Sequence, residues 1–294
     1  MATVSDRSAW WLAIRPATLT ASAAPVLVGT GVAWWEHVFA AGPAFAALLG
    51  ACLLQIGANF ANDVFDFEHG ADNAERLGPQ RATQQGWISA SQMKRAMWLV
   101  FGCAAAVGVY LTWVAGWPVL VLGLLSIAAA YLYTGGPRPY GYLGLGDLAV
   151  FLFFGLGAVA GTYFVQARSV SMLALIASVP IGMLATAILA VNNLRDIETD
   201  ARAGKRTLAV RLGDRATRVY YLLLLAIAYL VPLLLWVNGR KDAWVMLSWL
   251  SLPLALRVAA RTRRERGLSL NGCLVLTARL EVVYGLLLAI GLAW

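Results

Sequence analysis

Residues 42–66 read GPAFAALLGACLLQIGANFANDVFD. The stretch opens with an apolar run of about 20 residues, the length an α-helix needs to cross a bilayer. Its end turns polar. Asn59, Asn62, Asp63 and Asp66 recur every three to four residues and would share one helix face. An apolar helix with an Asn/Asp face at one end predicts a membrane span whose polar chemistry sits at one side of the bilayer.

The rest of the chain repeats the pattern. Nine apolar runs predict spans near 18–35, 42–62, 95–115, 117–134, 147–166, 171–193, 217–237, 243–258 and 275–294. Of the 294 residues, 60% are hydrophobic and 13% charged; a soluble globular chain carries roughly 25% charged residues. The mean hydropathy of +0.70 excludes disorder and a soluble fold. The runs are too long for the alternating strands of a membrane barrel, about 10 residues each. The expected fold is therefore all-α, a polytopic membrane protein forming a single domain over residues 1–294.

Charge sets the orientation. All 23 Lys and Arg residues fall on one face of this topology except Arg168, Arg240 and Lys241 opposite, and Arg279 in or beside the last span. By the positive-inside rule that face is cytoplasmic, the N-terminus lies inside and Trp294 outside. The net charge of +8 thus belongs to membrane topology rather than to a nucleic-acid surface. Cys52, Cys103 and Cys273 lie in apolar runs without a CxxC pattern and read as core residues. Asp6, Arg7, Trp10, Trp11 and Arg15-Pro16 read as an interfacial segment rather than a cleavable signal.

Most of the 15 acids crowd the same cytoplasmic face, which topology alone does not require. Span six ends as span two does: Asn192, Asn193, Arg195, Asp196, Glu198 and Asp200 follow its apolar run. On one continuous helix Asn192, Asp196 and Asp200 would stack on one face, where like charges repel. Oxygen ligands with no His or Cys favour a hard cation, and Mg²⁺ is usually held by one or two carboxylates plus substrate phosphates. Asp63, Asp66, Asp196 and Asp200 are accordingly the expected Mg²⁺ ligands and catalytic residues. Arg81, Arg138, Lys205 and Arg206 are candidate diphosphate contacts, with Asn59, Asn62, Tyr140, Asn192 and Asn193 completing the polar site. The loop 133–147, rich in Gly, Pro and Tyr, reads as a cap over it.

These motifs resemble the UbiA superfamily of intramembrane aromatic prenyltransferases. The resemblance covers nearly the whole chain. It runs from Arg15-Pro16 through Asn62-Asp63-x-x-Asp66, the Arg76 to Gly86 stretch and Arg138 to Asp147, to Asn192-Asn193-Leu-Arg-Asp196-Ile-Glu-Thr-Asp200 and Gly204-Lys205. One departure is Gly70, where the general pattern has aspartate; the resemblance carries that diphosphate-binding role over to Asp72, two residues later. The Gly78-Pro79-Gln80-Arg81 and Gly146-Asp147 stretches are similar to the branch acting on 1,4-dihydroxy-2-naphthoate. The resemblance implies a nine-helix UbiA-like bundle in the bacterial inner membrane, with its active site at the cytoplasmic side. It implies Mg²⁺-assisted loss of diphosphate from a polyprenyl diphosphate, with Lys205, Arg138 and Arg81 steadying the leaving group. The naphthoate would then be prenylated with loss of CO2, giving a demethylmenaquinone. Another acceptor (4-hydroxybenzoate, homogentisate) or a phytyl donor is the alternative, and an ion-coupled transporter a distant one. Chain length of the donor and oligomeric state are not encoded legibly.

Overall fold

The computed structural model describes residues 6–71 and 77–294. Among them every regular element is helical. In order these are α1 (Asp6–Ile14), α2 (Pro16–Trp35), α3 (Ala41–Glu68), α4 (Ala90–Ala115) and α5 (Trp117–Leu132). They continue with α6 (Gly146–Ala167), α7 (Met172–Arg195), α8 (Ile197–Arg202), α9 (Leu208–Val237), α10 (Ala243–Arg264) and α11 (Gly267–Ala293).

Helices occupy all nine expected places, but they are not equal. Seven are long and apolar enough to cross a bilayer, and α1 with α2, bent by 43°, makes an eighth candidate. Helix α5 has only 16 residues, about 24 Å at 1.5 Å per residue and shorter than a typical hydrocarbon core. The break between α1 and α2 falls at Arg15, which adopts φ 54 ahead of Pro16. Gly116, at φ 89, allows the sharp reversal from α4 to α5. Helix α4 starts with a Ser89–Gln92 capping box, which satisfies otherwise orphaned amides.

Packing rests on small residues, as expected where lipid supplies no hydrophobic drive between helices. Helix α7 is the central rod; its buried face includes Ala177, Ser178, Ile181, Leu184, Ala187, Ala190 and Val191. A Cβ on Gly155 would lie 2.8 Å from the Gly182 Cα, so α6 and α7 cross backbone to backbone. Similarly, a Cβ on Gly31 would lie 2.5 Å from the Ala289 carbonyl oxygen of α11. Phe151–Ala160 of α6 winds as a π-helix, a form often found beside functional sites.

Two large buried clusters result. One joins α2, α6, α7, α9, α10 and α11 through residues such as Val28, Val159, Leu184, Tyr221 and Tyr284. The other joins α1, α3, α4 and the loop at 82–88 through Phe60, Val64, Met93 and Met97. The polar end of α3 belongs to the second cluster and that of α7 to the first. The ends of the two Asn/Asp-bearing helices thus belong to different buried clusters.

Candidate active site

Helix α3 carries its four-residue polar face to the end of the rod. Asn59, Asp63 and Asp66 are buried. Asn59 serves the fold: its amide donates to the Ile14 carbonyl at 2.9 Å and to Thr18 Oγ1 at 2.9 Å, tying α3 to the α1–α2 break. Asn62 accepts from the Thr134 hydroxyl at 3.0 Å.

The two aspartates do different work. Asp63 accepts from the backbone amides of Ala82 (3.1 Å) and Thr83 (2.9 Å), so both its oxygens hold the loop after Arg81. Asp66 faces cations. Lys205 donates to its Oδ1 at 2.9 Å and Arg81 to its Oδ2 at 3.3 Å. The Tyr142 hydroxyl donates to the same Oδ1 at 2.7 Å. The Lys205 ammonium also lies 4.5 Å above the Tyr142 ring. The backbone fixes this contact, since the Arg206 amide donates to the Tyr142 carbonyl at 2.9 Å.

The second motif departs from the expected single helix face. Helix α7 ends at Arg195, the chain breaks at Asp196 (φ −99, ψ 8), and Asp200 rides on the separate two-turn α8. Buried Arg195 organises the break. It donates through Nε to Asp196 at 2.7 Å, to Asn192 at 2.9 Å and to Asn271 of α11 at 2.7 Å. Asn271 in turn donates to the Leu77 carbonyl at 3.1 Å, which joins the two bundles beside the site. Asn193 is buried on α7.

Asp200 is half-buried. Burial raises its pKa to about 7; Lys205 pulls it down, while the nearby carboxylates of Asp196 and Asp66 push it up. Lys205 joins the two motifs: its backbone amide donates to the Asp200 carbonyl at 2.9 Å while its ammonium meets Asp66. An all-oxygen donor set of this kind fits a hard divalent cation. Among the described residues, however, no three acidic, His or Cys side chains already form a metal cage.

The other expected site residues are placed as follows. Arg206 and Arg138 are exposed. Tyr140 turns away: its hydroxyl bonds the Ala129 carbonyl at 2.8 Å, and burial pushes its pKa up to about 12. Asp72 lies outside the described residues. The tyrosine that reaches the carboxylate is Tyr142, which, like Arg195 and Asn271, the sequence pattern alone does not single out.

Residues 22–275 match the UbiA prenyltransferase family. The chain belongs to that family. Among its relatives is the 1,4-dihydroxy-2-naphthoate octaprenyltransferase of Escherichia coli (strain K12), 40% identical over 89% of this chain and 87% of that one. The enzyme of the same description from Mycobacterium tuberculosis is 42% identical, covering 88% of this chain and 87% of its own length. Among solved structures, a UbiA homolog from Aeropyrum pernix K1 superposes with a TM-score of 0.73 at 16% identity, covering 91% of this chain and 95% of that one. A UbiA homolog from Archaeoglobus fulgidus, bound to GPP and Mg²⁺, gives a TM-score of 0.68 at 16% identity, covering 96% of this chain and all of that one. At these identities the structural likeness concerns the fold.

Proposed function

We propose that this UbiA family member transfers a polyprenyl group from its diphosphate to 1,4-dihydroxy-2-naphthoate, with loss of CO2 and diphosphate, in menaquinone biosynthesis. The observation that carries the reading is the junction of the two Asp motifs: Asp66 held by Lys205, Arg81 and Tyr142, with the Lys205 amide bonded to the Asp200 carbonyl. Relatives at about 40% identity carry the naphthoate octaprenyltransferase description, and a fold neighbour is bound to GPP and Mg²⁺.

Asp66, Asp196 and Asp200 are the residues that would hold Mg²⁺, with Asp63 acting through the loop it fixes. Bound Mg²⁺ supplies a Lewis acid that neutralises charge on the diphosphate. Lys205 and Arg81 then receive the leaving diphosphate, as preorganised cations in a partly dry site. Arg138, Arg206, Asn62, Asn192 and Asn193 form the polar surround, and the prenyl tail lies among the helices, towards lipid. The site faces the cytoplasm in a nine-crossing bundle of the bacterial inner membrane, with Trp294 outside. The distribution of Lys and Arg supports that orientation.

The test is product formation by purified protein in detergent. With Mg²⁺ and farnesyl diphosphate, 1,4-dihydroxy-2-naphthoate should give a prenylated, decarboxylated product, and EDTA should abolish it. Turnover of 4-hydroxybenzoate or homogentisate in its place would overturn the acceptor assignment.

A further inference from the structure

Most buried polar groups near the site have partners, but one carboxylate stands out. Asp147, in the first turn of α6, is buried, and its Oδ2 has no hydrogen-bond partner among the described residues. The carboxylate is served by the Tyr220 hydroxyl and its own backbone amide, so Oδ2 is the oxygen left over, and a buried oxygen without a donor beside an active site calls for one that arrives with a ligand.

Its surroundings are phenolic. The Tyr220 hydroxyl of α9 lies beside the Asp147 carboxylate. Tyr133 is pressed against the start of α6: a Cβ on Gly146 would meet its hydroxyl and ring at 3.2 Å. Gly141 packs against the same ring, and Tyr140 meets it edge-on at 5.4 Å. The Tyr133 phenol is held well above its ordinary range, by burial first and then by Asp147, Tyr140, Asp66 and Asp200. The loop that carries Tyr133 also reaches the diphosphate site: the next hydroxyl, that of Thr134, donates to Asn62 at 3.0 Å, and the Tyr142 hydroxyl donates to Asp66 at 2.7 Å. Tyr220 also lines an apolar groove with Leu212, Arg215 and Leu223.

We infer that Asp147 and Tyr133 form the acceptor subsite, where the Asp147 Oδ2 accepts the hydrogen bond, and then the proton, of the aromatic acceptor's ring hydroxyl. This rests on the prenyltransferase reading above. The geometry supplies a buried acceptor-only oxygen, tyrosine rings packed beside it, and a loop that runs on from Tyr133 to contacts with Asn62 and Asp66. The step balances. The ring hydroxyl gives its proton to Asp147 as the carboxylate-bearing ring carbon bonds to the allylic carbon, whose C–O bond breaks with its electron pair leaving on the diphosphate. The ring-to-carboxylate bond then breaks, CO2 leaves, the electron pair returns to the ring, and the proton returns from Asp147 to the ring oxygen.

The experiment compares a hydroxylated acceptor with its deoxy analogue. It uses the full-length enzyme in detergent with Mg²⁺, as wild type and as Asp147→Asn. For each, the Michaelis constant for the dihydroxynaphthoate acceptor and the inhibition constant for 4-hydroxy-2-naphthoic acid, which lacks only the hydroxyl beside the carboxylate-bearing carbon, are measured. A hydrogen bond to a charged group sets the expected scale, a preference for the hydroxylated ligand of about 10- to 100-fold in wild type. Asp147→Asn should lose most of it and slow turnover, while the Michaelis constant for farnesyl diphosphate stays within about twofold. Tyr133→Phe, a change of one oxygen, should reduce the same preference about tenfold, and decides the matter if the Asn variant does not fold. An unchanged preference, or an equal loss of donor binding, would overturn the inference. If wild type ignores the naphthoate but prenylates 4-hydroxybenzoate, the acceptor assignment fails. The same comparison with 4-hydroxybenzoate and benzoate then tests Asp147 on its own.

Discussion

Tyr142 and Lys205 converge on one oxygen, Oδ1 of Asp66, at 2.7 and 2.9 Å, while the lysine ammonium sits 4.5 Å over the tyrosine ring. The loop 140–143, the segment after α8 and the end of α3 are locked together by three groups far apart in sequence. The phenol and the ring contribute separately. Tyr142→Phe keeps the ring over Lys205 and removes only the hydroxyl. Its turnover should fall about 10-fold, the scale of one hydrogen bond to a charged group. Tyr142→Ala should fall further, and steady-state rates on matched protein amounts decide this.

Asp63 has a structural task that its neighbour lacks. Both its oxygens accept backbone amides of the loop bearing Arg81. Asp63→Ala leaves two buried amides unsatisfied, at about 1–3 kcal/mol each. The variant should still insert but lose turnover almost completely, with increased protease cleavage at residues 81–86. Near wild-type turnover would contradict the assignment.

How much of this is legible in the sequence differs from residue to residue. Span positions and the polar ends of α3 and α7 follow from apolar periodicity, which is a local signal. The roles of Asp63 and Asp66 do not, because Asp63 depends on where the loop at Ala82 and Thr83 closes and Asp66 on Tyr142 and Lys205, which are much further along the chain. Tyr140 and Tyr142 illustrate the same limit. They sit two apart in a Gly/Pro-rich loop, and only its 3₁₀ turn and the Arg206 amide decide which phenol reaches the carboxylate. The break at Asp196 is hidden by spacing that suits an unbroken helix. It is stabilised by Arg195 and Asn271, a contact between distant segments.

Glu281 is fully buried in α11, and neither of its carboxylate oxygens has a partner among the described residues. Replacing an unsatisfied buried polar group by one of similar shape is neutral or stabilising. Glu281→Met should therefore leave the thermal midpoint in detergent unchanged or raised by a few degrees. A lower midpoint would show that the carboxyl has a structural partner.

The α6–α7 crossing has no room at Gly155, where a Cβ would lie 2.8 Å from Gly182 Cα. Gly155→Val should destabilise by about 1–3 kcal/mol, the usual scale of overpacking. Thermal unfolding in detergent reads this directly, and an unchanged midpoint would contradict the close crossing.

The central claim is that the junction of the two Asp motifs binds a prenyl diphosphate with Mg²⁺. It is tested most directly without turnover, by titrating purified protein with a non-hydrolysable farnesyl thiodiphosphate, with Mg²⁺ and with EDTA. The account predicts binding that requires Mg²⁺, weakened at least about 10-fold, the scale of a charge-assisted contact, in both Asp66→Asn and Asp200→Asn. Arg168→Ala, exposed between α6 and α7, should bind as wild type does. Binding that is indifferent to Mg²⁺, or undiminished in either aspartate variant, would contradict it.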